Sequence, residues 1–157
     1  MPRAGGDDSR SVVSAATLSN GAAGRGGGLR MCTNIARSLR FYCEVLGATV
    51  LYDRPKEGFA YMDLQGAQFM LDAIENAWVT APMQAPLGRG INFQITVASV
   101  QDLSDRLEKA GVVPFLGPQT RWYRDGDIEH GQSQLLVQDP DGYLLRFAEC
   151  LGSRQAR

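Results

Sequence analysis

The sequence contains a single histidine, His130, among 157 residues. Catalytic divalent-metal sites draw their ligands mainly from histidine and carboxylate side chains, so a centre of two imidazoles and a carboxylate cannot be assembled from this chain. A lone histidine in a polar segment is usually a solvated surface side chain. We therefore expect no metal ion and no cofactor.

Charge excess, long apolar runs and closely spaced cysteines are also lacking. Lysine and arginine total 16 against 17 acidic residues, a formal net charge of −1, which provides no basic field for nucleic acid or an anionic membrane. No apolar run approaches the roughly 20 residues that span a bilayer. The cysteines, Cys32, Cys43 and Cys150, are too far apart for a disulfide framework or zinc knuckle. The sequence predicts a cytoplasmic protein without nucleic-acid or membrane partners.

The two ends of the chain differ from the centre. Residues 1–28 are rich in glycine, serine and alanine, and they contain neither the apolar core of a secretory signal nor the Gly-Lys-Ser/Thr end of a phosphate loop. So few apolar residues cannot offset the entropy lost on ordering. We predict a flexible tail over residues 1–28, a single domain over 29–150 and a short tail over 151–157.

The central region contains two copies of one unit. Helices are predicted over residues 34–47 and 99–111, with Asn34 and Ser99 as their N-caps. Each is followed by three strand-like runs, at 48–53, 59–64 and 68–74 in the first half and at 112–116, 133–138 and 143–149 in the second. The strictly alternating run at 91–97 opens the second copy. The modules are therefore 29–75 and 91–150, joined by a linker over 76–90.

Each module reads as strand–helix–strand–strand–strand. A helix covers one face of each sheet, so two copies that face each other enclose a cleft on the other side. The second copy carries an extra loop at 117–131. The sequence DPDG at 139–142 has the composition of a tight turn, and calcium binding there would need several more oxygen ligands.

Three stretches, "SLRFYCEVLG", "RGINFQITV" and "LLVQDPDGYLLRF", resemble the vicinal oxygen chelate superfamily. That superfamily includes glyoxalase I, extradiol dioxygenases, fosfomycin resistance enzymes and bleomycin resistance proteins, and the sequence is most similar to the last group. The resemblance covers residues 29–150. It implies an α+β fold in which two βαβββ modules form a curved mixed sheet, and in the enzymes a divalent metal ion on the concave face.

The resemblance places the metal ligands of those enzymes at Met70, Asn92, Arg146 and a position near Gly27. A thioether is soft, an amide is a weak ligand and a guanidinium repels a cation, so the resemblance implies binding without chelation. Around the fourth position, Leu29 and Met31 are one place out of the usual apolar phase. We expect a non-enzymatic homodimer that sequesters bleomycin-type glycopeptides, which are aromatic and cationic. The alternatives are a metalloenzyme of the superfamily (a lyase, isomerase or dioxygenase) and a binder of some other small molecule.

Candidate ligand-binding residues fall into two sets. The loop set is Trp78, Trp122 and Tyr123, whose flat side chains suit planar ligands, followed by Asp125, Asp127 and Glu129, which attract a cation or form a solvated turn; Trp78 has an alternative place in a dimer interface. The inner-face set is Tyr61, Asp63, Met70, Asn92, Gln94 and Arg146. Strand phase suggests that Asp63 pairs with Arg146 and replaces the metal by an internal ion pair.

Overall fold

The computed structural model describes residues 28–76 and 78–156, which form two βαβββ modules. The elements of the first are β1 (Gly28–Cys32), α1 (Ile35–Leu39), β2 (Thr49–Arg54), β3 (Phe59–Leu64) and β4 (Ala67–Ala73). Those of the second are β5 (Asn92–Thr96), α2 (Val100–Lys109), β6 (Leu116–Asp125), β7 (Ile128–Gln138) and β8 (Leu144–Gln155). The predicted α+β fold is confirmed.

Each module forms a mixed four-stranded sheet, in the orders β1-β4-β3-β2 and β5-β8-β7-β6. β1 runs parallel to β4 and β5 runs parallel to β8, whereas the other neighbours are antiparallel. The opening strand of each module is therefore an edge strand. No helix within residues 28–76 and 78–156 has the length and apolar character needed to cross a membrane.

Both helices begin at the predicted caps. The Asn34 side chain accepts a hydrogen bond from the Arg37 N–H at 2.9 Å, and the Ser99 hydroxyl accepts one from the Asp102 N–H at 3.1 Å. These bonds satisfy backbone donors that have no partner within the helix. The first helix continues as a π-helical turn over Arg40–Val45 before the chain turns at Gly47, which has a φ of 82°.

Alternation of side chains gives each sheet a buried face and an open face. The buried faces pack against the helices in one core that both modules share; its sheet residues include Met62, Phe69, Leu71, Leu135, Leu145 and Phe147. We call the opposite side of both sheets the open face. It carries the residues between those core positions, including Tyr61, Asp63, Gln68 and Met70 in the first module and Asn92, Gln94, Gln134 and Arg146 in the second.

The turn before β8 joins the two modules. Asp141 accepts hydrogen bonds from the Thr33 N–H at 3.2 Å, the Thr33 hydroxyl, and the Ser38 hydroxyl at 3.2 Å, and the Arg37 guanidinium lies 2.9 Å from it. The Tyr42 hydroxyl donates to Asp139 at 2.7 Å. The segment 139–142 is thus the predicted turn, with Gly142 at a φ of 95°, and it also holds the start of α1 in place.

Two sequence-based assignments in the second module are wrong. Residues 112–115 are not a strand, and 117–131 is not a loop, because β6 and β7 pair as a hairpin that turns at Gly126. Most of this hairpin is exposed and polar, so it lacks the alternation of apolar residues that marks a strand.

The predicted tails also change. β8 continues to Gln155, because residues 152–155 pair with β7. Gly28 belongs to β1. Residues 1–27 of the predicted N-terminal tail lie outside the described residues. Within the predicted linker, residues 78–90 contain no helix or strand.

Candidate functional site

The first module contributes aromatic rings to the open face. Tyr61 lies between β2 and β4 and is the register partner of both Tyr52 and Met70. Its hydroxyl donates to Gln68 Oε1 at 2.8 Å. The Tyr52 ring centroid lies 6.4 Å from that of Tyr61 and 5.6 Å from that of Phe59. Register partners project from the same side of a sheet, so these rings form one aromatic cluster.

Charged side chains flank this aromatic cluster. Asp63 and Asp72 lie on the open face at its two ends, and burial raises the pKa of the Asp72 carboxyl. The Arg54 Cζ atom lies 4.1 Å from the Phe59 ring centroid, and its Nε atom lies 2.7 Å from Glu57 Oε2. The first module therefore presents rings between carboxylates, with one face of Phe59 covered by a guanidinium.

The second module presents a fixed cation. The Arg146 Nη2 group donates hydrogen bonds to the Tyr123 hydroxyl and to Gln134 Oε1. The Tyr123 hydroxyl itself donates to Gln134 Oε1 at 2.8 Å, which closes a triangle of three side chains from β8, β6 and β7. Charge-assisted hydrogen bonds of this kind are roughly twice as strong as neutral ones, so the arginine is held in one orientation.

A pocket of about 230 Å³ lies between β5 and the β1–β4 edge of the first module. We call it the seam pocket; its lining includes Arg30, Gln68, Phe69, Asn92, Phe93 and Gln94. Gln68 belongs to the Tyr61 cluster and Gln94 is the register partner of Arg146. The seam pocket therefore links the two halves of the site.

The structure separates the predicted ligand-binding residues into two groups. Tyr61, Asp63, Asn92, Tyr123 and Arg146 lie on the open face. The other group consists of the two tryptophans. The Trp122 ring stacks on Arg154, whose Cζ atom lies 3.9 Å from the ring centroid. This ring lies on the side of β6 opposite Tyr123. Trp78 is 91% exposed in the segment after β4.

The hypothesis of an ion pair between Asp63 and Arg146 is wrong. Asp63 instead accepts a hydrogen bond from the Gly66 N–H at 3.0 Å and closes the β3–β4 turn, and Arg146 bonds to its own sheet. Two of the three acidic residues of the hairpin, Asp125 and Glu129, also lie close to basic side chains. Glu129 pairs with Arg154 at 2.8 Å, and Asp125 lies 3.8 Å from His130. This pairing weakens the cation attraction that the sequence suggests for the hairpin.

Sequence reasoning missed Gln134, Gln68 and Arg30. The two glutamines carry no local signal, because their importance comes from partners on other strands. Arg30 does have a signal: Leu29 and Met31 are out of apolar phase because they face the open side, and the arginine between them points into the core, where it is 2% exposed.

The residues at the expected ligand positions do not fit a divalent metal ion. Met70 supplies a thioether and Asn92 an exposed amide, and Arg146 supplies a cation fixed by hydrogen bonds. Gly27 lies outside the described residues. Among those residues, no group of three or more histidine, cysteine or acidic side chains is arranged to hold a metal ion. His130 lies in the hairpin, with Nδ1 at 2.8 Å from the Ser153 hydroxyl.

Comparisons with known proteins give a family. No curated protein matches the chain significantly. Among solved structures, a glyoxalase/bleomycin resistance protein/dioxygenase superfamily member from Vibrio splendidus 12B01 is 34% identical, with 78% of this chain and 95% of that chain covered and a TM-score of 0.37.

Two more distant structures share the fold. TioX from Micromonospora sp. ML1 is 20% identical, with a TM-score of 0.63 and coverage of 80% of this chain and 99% of that chain. Lactoylglutathione lyase from Agrobacterium tumefaciens is 15% identical, with a TM-score of 0.55 and coverage of 83% and 95%. The family model described as Glyoxalase/Bleomycin resistance protein/Dioxygenase superfamily matches residues 29–147. The chain therefore belongs to this superfamily.

Proposed function

We propose that the chain binds small organic molecules on its open face without catalysing their conversion. One observation carries the proposal: Arg146 is hydrogen-bonded to Tyr123 and Gln134 at the position where the superfamily resemblance expects a carboxylate ligand. A guanidinium held this way donates hydrogen bonds and attracts anionic or carbonyl groups, but it cannot coordinate a metal ion. The surrounding side chains are aromatic rings and amides, which suit binding.

For the ligand we propose a bleomycin-type glycopeptide, from the resemblance of the sequence to bleomycin resistance proteins. The first module supports this ligand class because the rings of Tyr52 and Tyr61 lie between Asp63 and Asp72 on one face. Planar groups stack on such rings, and a cationic group is attracted by the carboxylates. Since Arg146 repels cations, we expect the cationic tail over the first module and the neutral part near the second.

Such a protein protects by sequestration, so its capacity scales with the number of protein molecules. We propose a homodimer as the working unit, as the resemblance implies. Exposed apolar side chains support a dimer interface. They include Val113 at 86%, Phe115 at 66% and Trp78 at 91% exposure. Sedimentation equilibrium tests this proposal, which predicts twice the mass of 17.1 kDa; a monomer at all concentrations contradicts it.

Isothermal titration calorimetry with metal-free and copper-loaded bleomycin tests the ligand class. We expect one bleomycin per chain, and about tenfold weaker binding for Tyr61→Ala and for Asp63→Asn, because each removes one ring or one charge. Asp53→Asn is the matched control, because Asp53 is an exposed carboxylate on β2 that points away from the aromatic cluster.

Three results distinguish the possibilities. Saturation that both variants weaken and the control leaves unchanged supports the proposal. No binding of either form of bleomycin contradicts this ligand class and leaves binding of another small molecule to be tested. The alternative of a metal-dependent lyase, isomerase or dioxygenase requires a stoichiometric metal ion, so metal content separates it from simple binding.

A further inference from the structure

Arg30 is a buried cation with an unusual environment. It is 2% exposed, and its Cζ atom lies 4.0 Å from the Phe93 ring centroid and 4.4 Å from that of Phe69. A third ring, that of Tyr42, lies 5.6 Å away. The rings belong to both modules, because Phe93 is on β5 and Phe69 is on β4. The guanidinium is therefore enclosed by aromatic side chains at the junction of the two sheets.

The hydrogen-bonding edge of this guanidinium is not satisfied by the described part of the protein. Arg30 Nε and Nη1 are buried and have no hydrogen-bond partner there. None of the ion pairs among residues 28–76 and 78–156 includes Arg30. Aromatic rings stabilise a cation through their faces, but they accept no in-plane N–H bonds. Burial of unpaired polar groups is unfavourable, so this edge is suited to an acceptor that comes from outside.

The seam pocket gives such an acceptor access to Arg30, which is one of its lining residues. The described lining contains no acidic residue, so no carboxylate competes with a bound anion. Gln68 Oε1 accepts a hydrogen bond from the Tyr61 hydroxyl. The amide N–H groups of Gln68 are therefore left as donors toward a ligand. Exposed amides of Asn92 and Gln94 lie on the other wall. Every functional group that lines the pocket can therefore donate a hydrogen bond.

We propose that the seam pocket is an oxyanion-binding site in which Arg30 binds the carboxylate or phosphate group of a small ligand. The planar guanidinium matches the two oxygens of such groups. The pocket volume of about 230 Å³ is below the roughly 300–1,000 Å³ of sites for drug-sized ligands, so the ligand is small. Arg30 reaches the seam pocket from the core side of β1, whereas Gln68, Asn92 and Gln94 line it from the open face. Binding of a small anion there does not require the bleomycin binding proposed above.

Titration of the full chain with sodium phosphate and with sodium acetate tests the proposal, with sodium chloride at matched ionic strength as the reference. We expect saturable binding of one of the two anions by calorimetry. Arg30→Met keeps an unbranched apolar side chain between the rings and removes the charge, so we expect binding about tenfold or more weaker. Arg54→Met is the matched control, because Arg54 also stacks on aromatic rings but lies outside the seam pocket.

The outcomes separate a phosphate ligand from a carboxylate ligand. Saturation by phosphate or by acetate alone identifies the group that Arg30 recognises. Saturation by neither, or equal affinity in Arg30→Met and the wild type, overturns the proposal. If Arg30→Met does not fold, amide chemical shifts of the wild-type chain decide. Anion-dependent changes centred on Gly28, Phe69 and Phe93 support the site, and changes confined to other residues overturn it. A failure of the chain to bind bleomycin would leave this test of anion binding unaffected.

Discussion

Arg146 is fixed by side chains of its own sheet. Its hydrogen bonds to Tyr123 and Gln134 come from two other strands of the same sheet, so the cation is part of the sheet and does not depend on a partner in the other module. Strand phase was sufficient to place Arg146 on the open face, but it could not identify these partners, because hydrogen bonds between distant strands leave no local pattern in sequence.

The thiols of Cys32 and Cys150 should differ sharply in reactivity. Burial, with the negative charge of Asp141 nearby, raises the pKa of Cys32 to about 11, so at pH 8 only about one molecule in a thousand carries the reactive thiolate. Cys150 is exposed. We predict that iodoacetamide labels Cys150 rapidly and Cys32 only after unfolding, as read by mass spectrometry of proteolytic fragments. Equal labelling rates of Cys32 and Cys150 in the folded chain would contradict this assignment.

Asp139 should make stability depend on pH. Burial raises its pKa above the ordinary 3.8, although the Tyr42 hydroxyl and two backbone N–H groups donate to it. A raised pKa means that the folded state binds the proton more tightly, so this contribution to stability is complete below about pH 3.8 and is lost as pH rises through the folded-state value. Denaturant titrations over this range should show wild-type stability falling relative to Asp139→Asn. A constant difference would contradict the shift.

At the scale of elements, the DPDG turn has more than a local role. Sequence composition predicted the turn itself, because proline and aspartate start turns and glycine tolerates the positive φ of Gly142. It could not predict that Asp139 and Asp141 also bind Thr33, Ser38 and Tyr42 of the other module. Those contacts join residues about a hundred positions apart, and only the fold brings them together.

Removal of the Asp141 carboxylate should therefore destabilise the whole chain. Asp141→Ala leaves the Thr33 and Ser38 donors and the Arg37 guanidinium without their acceptor, and we expect a loss of about 3 kcal/mol in the free energy of unfolding. Urea denaturation followed by circular dichroism measures it. The control, Asp53→Ala, removes an exposed carboxylate and should change stability by less than about 0.5 kcal/mol. Similar losses in both variants would show that Asp141 does not join the modules.

The sequence pattern predicts an element well when one side of the element is buried, and poorly when both sides are exposed. The alternating run that became β5 and the amphipathic helix α2 were predicted to within two residues. Residues 117–131 of the β6–β7 hairpin have the composition of a loop, because Trp122 and Tyr123 point to opposite sides among polar residues. β1 lacks the usual apolar alternation because Arg30 occupies a position where an apolar core residue is expected.

At the scale of the whole molecule, the fold followed from the repeat, and the site followed only in part. Two modules that share one core place Tyr61 of the first module and Arg146 of the second on the open face, as strand phase predicts. The division of charge between them, with carboxylates in the first module and a fixed arginine in the second, became visible only in three dimensions. This division is what orients the proposed cationic ligand.

We propose that the open face binds its ligand through side chains and not through a metal ion. This proposal is tested most directly by elemental analysis of the full chain after incubation with manganese, nickel and zinc and removal of unbound metal. We predict well below one ion per chain, because Arg146 repels a cation and neither Met70 nor Asn92 replaces a carboxylate or imidazole. One tightly held ion per chain, lost in Asn92→Ala, would contradict binding without a metal ion.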